Sequence, residues 1–269
     1  MKLFDAIAKL EAAGVENPAY DAREIFRLIG KMPVANLISR DAESSLPEVD
    51  TAIERRCKRE PLQYIIGTVD FYRETYRVTP DCLIPRQETE LLVDYAVNHL
   101  PVGCEFIDLC TGSGCIAVSI LKNTKDTRAF AVDISDEALS LAKYNAVQNG
   151  VSDRIEFIKK DVLTDAVKKD FFAVISNPPY VTEDAYRDLA PEIYFEPKIA
   201  FVGEDGGLIF YKRIIELYRD SINPRGFFAF EIGYDQANDL KEIAHTHKMM
   251  CEIIKDYSGN DRIAVMRKE

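Results

Sequence analysis

The sequence predicts an α/β protein: a doubly wound, Rossmann-like sheet of seven strands, with a helical domain and a β-hairpin linker before it. Three observations carry this. From Cys104 onward, short apolar runs alternate with helical patterns, as parallel strands joined by crossover helices do. The first of these runs ends in Asp108-Leu109-Cys110-Thr111-Gly112-Ser113-Gly114, a glycine-bearing turn into a helix. The last two runs are separated only by Ser258-Gly259-Asn260-Asp261, too short for a helix, so they close the sheet as an antiparallel hairpin at one edge.

In chain order, residues 2–13 place Leu3, Phe4, Ile7 and Leu10 on one helical face, and residues 19–29 do the same with Ala22, Ile25, Phe26 and Ile29 before Gly30. A third helix starts at Pro47 and carries Val49, Ala52, Ile53 and Cys57 inward. Its charged run, Arg55-Arg56-Cys57-Lys58-Arg59, reads as a solvated face rather than an anion-binding patch. Residues 62–79 change character: 63–72 and 76–78 read as short strands around a polar turn at Arg73-Glu74-Thr75. Ile84-Pro85-Arg86-Gln87-Glu88-Thr89-Glu90 then starts a helix whose first turn is acidic, where the dipole favours it. Strands are expected at 105–109, 128–133, 154–158, 171–176, 226–231, 250–256 and 262–267, and helices at 115–122, 135–149, 206–220 and 235–247. The expected division is 1–60 as a helical domain, 61–83 as the linker and 84–269 as the sheet domain.

Composition narrows the function classes. With 269 residues, 47% apolar and 29% charged, the chain can bury a full core without staples. No apolar run approaches the roughly 18–20 residues of a membrane helix, and the amphipathic first ten residues do not read as a signal peptide. The six cysteines include no C-x-x-C pair, so reduced thiols in a cytoplasmic protein are expected. No metal site is expected, because His245 and His247 lie two apart on a helical pattern and face different ways. Net charge is −11, divided unevenly. Residues 1–80 hold 12 Lys and Arg against 13 Asp and Glu, and residues 81–269 hold 22 against 32. An acidic carboxyl-terminal part repels phosphate backbones and argues against direct nucleic-acid binding.

Two local motifs carry chemistry. Gly112 and Gly114 allow a sharp turn and close backbone approach to a ligand. Asp133 ends the second strand, where a carboxylate can accept both hydroxyls of a ribose, and Asp161 follows the third, in reach of a base edge. Gly112-x-Gly114-x-x-Ala117 also fits a nicotinamide dinucleotide. Asp108 tips the balance, since its carboxylate suits an ammonium and repels a pyrophosphate. The second motif is Ser176-Asn177-Pro178-Pro179-Tyr180, after an apolar strand. A plain Asn-Pro turn is the bland reading. As a clamp, Asn177 offers an acceptor and a donor, the two prolines stiffen the backbone, and Tyr180 offers a ring face to a planar –NH2 group. Both motifs fall at the carboxyl ends of strands, where ligands of such sheets bind.

With these stretches, the chain resembles the class I S-adenosylmethionine-dependent methyltransferases, and within them the release-factor glutamine methyltransferases (the HemK/PrmC family). Ile84 to Glu90, Asp108 to Gly114, Asn177 to Tyr180, Phe195-Glu196-Pro197 with Asp205-Gly206-Gly207-Leu208, Glu231-Ile232-Gly233 and Gly259-Asn260-Asp261-Arg262 carry the likeness, along with the helical first domain. The resemblance implies S-adenosylmethionine as donor and the glutamine of a Gly-Gly-Gln loop in peptide-chain release factors as acceptor. It assigns Asp108, Cys110, Thr111, Gly112, Ser113 and Gly114 to the methionine end, Asp133 to the ribose, and Asp161 with Val162 to the adenine. Asn177, Pro178, Pro179 and Tyr180 would hold the glutamine amide, with Asn177, Pro178 and Tyr180 catalytic, and residues 1–60 would recognise the protein substrate. A base-methylating nucleic-acid enzyme shares the clamp and is the alternative. Two departures stand out: Cys110 occupies the place of a first glycine, so its side chain is expected to point away from the donor, and Gln87 stands where the family often has proline.

Overall fold

A computed structural model describes residues 1–39 and 42–269. The chain divides into two compact units: Met1–Thr68 with Ala190–Phe195, and Val69–Leu189 with Glu196–Glu269.

The first unit is helical, with α1 (Leu3–Ala12), α2 (Pro18–Leu28), α3 (Pro47–Cys57) and the short α4 (Leu62–Ile66). Leu3, Leu10, Ile25, Phe26, Val49 and Ile53 meet in one core, as their spacing predicts. Residues 63–66, expected to be extended, instead form α4, which ends on Gly67 in the left-handed conformation (φ 86°). Leu62 and Ile65, one helical turn apart, join the core. Five residues are too few for a helical period to outvote their β-branched content.

The charged run is not a solvated face throughout. Arg56 is 6% exposed; its Nε donates to Asp21 Oδ2 at 2.6 Å and its Nη2 to Glu192 Oε1 at 3.0 Å. Arg59 reaches the same carboxylate, Nε to Oε1 at 2.6 Å and Nη2 to Oε2 at 2.7 Å. These pairs hold the distant Ala190–Phe195 segment inside this unit.

A hairpin follows, β1 (Thr68–Phe71) and β2 (Glu74–Arg77), with Val69 onward in the second unit. Its turn is Tyr72-Arg73, one residue before the expected position, with φ of 56° and 111°. Neither residue favours positive φ, so the turn carries no sequence signal. It is pinned by α5 (Glu90–His99): Tyr72 N–H donates to Glu90 Oε1 at 2.8 Å and Tyr72 O–H to Asp94 Oδ1 at 2.6 Å. Phe71 and Tyr76 are buried in the main core.

Then follow β3 (Glu105–Leu109), α6 (Cys115–Asn123), β4 (Arg128–Asp133), α7 (Asp136–Gln148), β5 (Ile155–Lys159), β6 (Phe171–Ser176) and the single turns α8 (Glu183–Tyr186) and α9 (Glu204–Gly207). The chain closes with α10 (Ile209–Tyr218), β7 (Ile222–Glu231), α11 (Ala237–Thr246), β8 (Met249–Lys255) and β9 (Asp261–Lys268). The seven-stranded sheet runs β5-β4-β3-β6-β7-β9-β8. β3 to β7 are parallel, and β9 runs antiparallel to both β7 and β8. The expected terminal hairpin forms, but β9 slots inside and β8 takes the edge.

Successive strand residues feed opposite faces, the two-residue period of a strand. Phe106, Ala173, Ile175, Phe227 and Ala229 pack under α5, α6 and α7, whereas Ile107, Leu109, Val174, Phe228 and Phe230 pack under α10 and α11. The strand order reverses at β3, flanked by β4 and β6, which opens a crevice at the carboxyl ends of β3 and β6. Leu109 pairs with Ser176, so Cys110 and Asn177 leave the sheet side by side.

Candidate active site

The turn after β3 is built by hydrogen bonds to carboxylates. Thr111 Oγ1 donates to Asp108 Oδ2 at 2.6 Å, and Ala117 N–H, in the first turn of α6, donates to the same oxygen at 3.3 Å. Gly112 N–H donates to Asp133 Oδ2 at 2.9 Å, tying the turn to the end of β4. The glycines serve different ends. At Gly112 (φ 54°) the nearest atom to an added Cβ is Cys82 Cβ at 3.8 Å, so the backbone faces open space. At Gly114 (φ 79°) that Cβ would sit 2.9 Å from Ala142 Cβ, so this glycine serves close packing of α6 on α7. Cys110 itself adopts φ 59° and packs against the core under α10 and α11.

At the end of β6, Asn177 Nδ2 donates to Thr89 Oγ1 at 3.2 Å, and Thr89 Oγ1 donates to Glu231 Oε2 at 2.5 Å. Tyr180 O–H donates to Glu231 Oε1 at 3.2 Å, and Gln236 Nε2 donates to the Tyr180 carbonyl at 3.2 Å. Among the described residues, Asn177 Oδ1 and the Pro178 carbonyl accept no hydrogen bond. Two glycines admit the backbone here: a Cβ on Gly203 would lie 2.4 Å from the Pro179 carbonyl oxygen, and one on Gly207 2.1 Å from that of Tyr180.

Between these motifs lies a cavity of about 330 Å³. Of the residues singled out in the sequence, Cys110, Thr111, Gly112, Ser113, Asp133, Asp161, Val162, Asn177 and Pro179 line it. Asp108, Gly114, Pro178 and Tyr180 stand outside its lining. The Tyr180 ring packs against the core and its hydroxyl faces Glu231, so the ring face expected to stack on a ligand is not a cavity wall. Pro85, Arg86, Thr89 and Pro197 also line the cavity; they lie in stretches that carry the family likeness but are given no role by it, whereas Asp81 to Leu83, Ile199 and Phe210 had no signal in the sequence. Glu196 sets part of this lining: 4% exposed, it accepts from Ile84 N–H at 2.8 Å and ion-pairs with Arg86.

Burial dominates the electrostatics. It pushes the Asp108 carboxyl up to about 7, against the Thr111 and Ala117 hydrogen bonds that hold it down. It raises Glu231 likewise, opposed by the Thr89 hydrogen bond, the Arg262 charge and the Tyr180 hydrogen bond, while the Glu88 charge adds to the rise. The Cys115 thiol is pushed up to about 12 and Cys110 and Cys82 also rise, so these cavity thiols stay protonated. No cluster of metal-ligating side chains occurs among the described residues.

The residues present fit the S-adenosylmethionine that the resemblance implies. Asp108 Oδ1 is a buried acceptor without a partner among the described residues, chemically suited to an ammonium although it stands behind the cavity lining. Asp133 spends one lone pair of each oxygen on Gly112 and Ser135 N–H, which leaves the others for ribose hydroxyls. Asp161 Oδ1 accepts from Leu163 N–H at 2.9 Å, leaving Oδ2 for a base edge.

Comparison with known proteins agrees. Residues 87–211 match the family described as methyltransferase small domain, and residues 3–67 the PrmC N-terminal domain. A release factor glutamine methyltransferase of Thermodesulfovibrio yellowstonii is 37% identical over 92% of this chain and 92% of its own length. One of Moorella thermoacetica is 33% identical over 99% and 98%. Among solved structures, the hMettl16 catalytic domain in complex with a MAT2A 3′UTR hairpin has a TM-score of 0.59 at 16% identity, covering 91% of this chain and 90% of that one. A Pyrococcus furiosus methyltransferase has a TM-score of 0.55 at 18% identity, covering 71% and 86%. These two share the fold. With identity above 30% over nearly the whole length of these two relatives, on a methyltransferase sheet whose switch-point crevice fits the donor, this chain belongs to the release factor glutamine methyltransferase family.

Proposed function

We propose that this enzyme transfers a methyl group from S-adenosylmethionine to the side-chain amide nitrogen of the glutamine in the Gly-Gly-Gln loop of a peptide-chain release factor. The observation that carries the reading is that Asn177 and the Gly112 turn line one cavity, with Asn177 Oδ1 left as an uncommitted acceptor. In this reading Asp133, Asp161, Val162 and the 110–114 turn hold the donor, with Asp108 behind the turn. The first unit recognises the protein substrate, and the six cysteines, none in a disulfide, suit the reducing cytoplasm.

An amide nitrogen is a poor nucleophile because its lone pair is shared with the carbonyl. Bound donor supplies a methyl on a sulfonium, with a neutral thioether as leaving group. The protein's work is alignment and charge stabilisation. Asn177 Oδ1 and the Pro178 carbonyl accept the two amide hydrogens, and both bonds strengthen as positive charge develops on nitrogen. Pro178 and Pro179 aim these acceptors through their fixed φ, and Tyr180 braces the loop through Glu231. No base need act first, since the methylated, N-protonated amide is acidic. The test is incubation with methyl-labelled donor and either a release factor or RNA and DNA, with mass spectrometry to locate the label. Label on the Gly-Gly-Gln glutamine is expected; label on a base, or none on the release factor, refutes the reading.

A further inference from the structure

Asparagine presents two chemically opposite ends of similar shape, so a clamp built on Asn177 works only if its amide cannot turn over. The structure supplies a lock. Thr89, 2% exposed, has a single hydroxyl hydrogen. Glu231 Oε2, buried and 2.5 Å away, takes that hydrogen. Thr89 Oγ1 is then left with lone pairs only, and the Asn177 atom 3.2 Å from it has to be the donor, Nδ2. Were the amide reversed, Oδ1 would face an oxygen with no hydrogen left to give.

The lock joins three elements that the sheet brings together: the turn before α5 gives Thr89, the end of β6 gives Asn177, and the end of β7 gives Glu231. The other oxygen of Glu231 takes the Tyr180 hydroxyl, so one carboxylate steadies both ends of the Asn177–Tyr180 stretch. Arg262 lends the carboxylate a compensating charge, and the Tyr211 hydroxyl donates to the Glu231 backbone carbonyl at 2.9 Å, fixing the strand end. Thr89 lines the cavity beside Asn177, while Glu231 lies behind it.

We propose that Thr89 and Glu231 are positioning residues for methyl transfer: the carboxylate polarises the hydroxyl, the hydroxyl accepts from the asparagine amide, and Oδ1 is thereby presented to the substrate's –NH2 group. The inference rests on the assignment of Asn177 as the amide clamp. It restricts the acceptor to a group that donates hydrogen, so a substrate nitrogen or oxygen bearing no hydrogen is rejected by lone-pair repulsion from Oδ1.

The test is steady-state methylation of a release factor by Thr89→Val, Thr89→Ser, Asn177→Ala and the Asn177→Ala/Thr89→Val double variant. Thr89→Val keeps the shape and removes the hydroxyl. Its kcat is expected to fall about 10–100-fold with KM for the donor within about 3-fold, since misorientation harms the transition state more than donor binding. Thr89→Ser, which restores the hydroxyl, returns kcat to within about 3-fold of the parent. Because Thr89 acts through Asn177, the double variant is no slower than Asn177→Ala alone. Normal turnover of Thr89→Val beside a crippled Asn177→Ala overturns the lock and leaves the clamp standing, as does a double variant slowed by the product of the two single effects. Normal turnover of Asn177→Ala overturns the clamp itself. If Thr89→Val does not fold, Thr89→Ala is read in the same cycle.

Discussion

An asparagine side chain has one donor end and one acceptor end, and at position 177 the donor end is spent on Thr89 Oγ1 at 3.2 Å. In the proposed mechanism the acceptor end meets the developing positive charge, so its loss would fall on the chemical step. Asn177→Ala should lower kcat by about two orders of magnitude, as removal of one preorganised hydrogen bond does elsewhere. The dissociation constant for the donor, measured by calorimetry, should change by less than about 3-fold. Asp108 makes a second test. Its carboxyl, raised to about 7, holds in the folded protein a proton that the unfolded chain releases near pH 4. Ligand-free stability therefore falls as pH rises between those values. Asp108→Asn removes the titration, so the variant's stability relative to the parent should rise from pH 5 to pH 8, by on the order of 3 kcal/mol in urea melts. A difference that stays constant with pH refutes the raised carboxyl. The local motif made Asn177 legible in the sequence. Thr89 and Glu231 fell in stretches that carry the family likeness, but their link to Asn177 was not legible, because the bonds joining them span 88 and 142 positions, a separation at which no pattern links one residue to another.

At the scale of elements, the Asn177–Tyr180 loop is seated against glycines as well as stiffened by its own prolines. Gly207 has φ 82°, and an added Cβ would come 2.1 Å from the Tyr180 carbonyl oxygen, whereas Gly206 has φ 68° and nothing within 4 Å. Gly206→Ala should therefore cost only the left-handed backbone penalty, about 1 kcal/mol. Gly207→Ala must also displace the loop, and should cost about 3 kcal/mol or more and lower kcat about 10-fold or more. Thermal melts and turnover of the pair decide this; equal effects would mean that the loop does not depend on this contact. The β1–β2 turn offers the converse, a residue type at odds with its backbone. Arg73 holds φ 111°, so Arg73→Gly should stabilise by about 0.5–1 kcal/mol, read as a raised denaturation midpoint. The same mismatch explains why the expected turn fell one residue late: the backbone is set by Tyr72 anchored on Glu90 and Asp94, not by turn residues. The strands β3, β4 and β6 match their expected bounds because each is a short, mainly apolar segment ended by a charged or turn-forming residue. Helix α4 was missed because one turn shows no period.

For the molecule as a whole, charge is divided between near-neutral residues 1–80 and a strongly acidic remainder, and the three arginines of the basic run in the first unit are paired internally. Arg56, 6% exposed between Asp21 and Glu192, is a structural ion, whereas Arg55 pairs with Glu60 near the surface. Arg56→Ala strands the buried Asp21 carboxylate, while Glu192 keeps Arg59, and should destabilise the first unit by about 3 kcal/mol, while Arg55→Ala should cost less than about 1 kcal/mol. Urea denaturation followed by hydrogen exchange on α1 to α3 would resolve the two; equal small losses would show that the Arg56 network is not structural. An arginine tied up in this way is also withdrawn from any phosphate, which agrees with a protein rather than a nucleic-acid substrate.

The sequence by itself determined the fold class, the position of the crevice and one run of the residues lining its cavity, because apolar period, glycine turns and strand-end carboxylates are local signals. Tertiary structure alone decided which way Asn177 faces, where Tyr180 turns its ring, and that Arg56 is buried. Each of these is settled by a partner far along the chain, through hydrogen bonds and burial that exist only once the sheet has set its strands side by side.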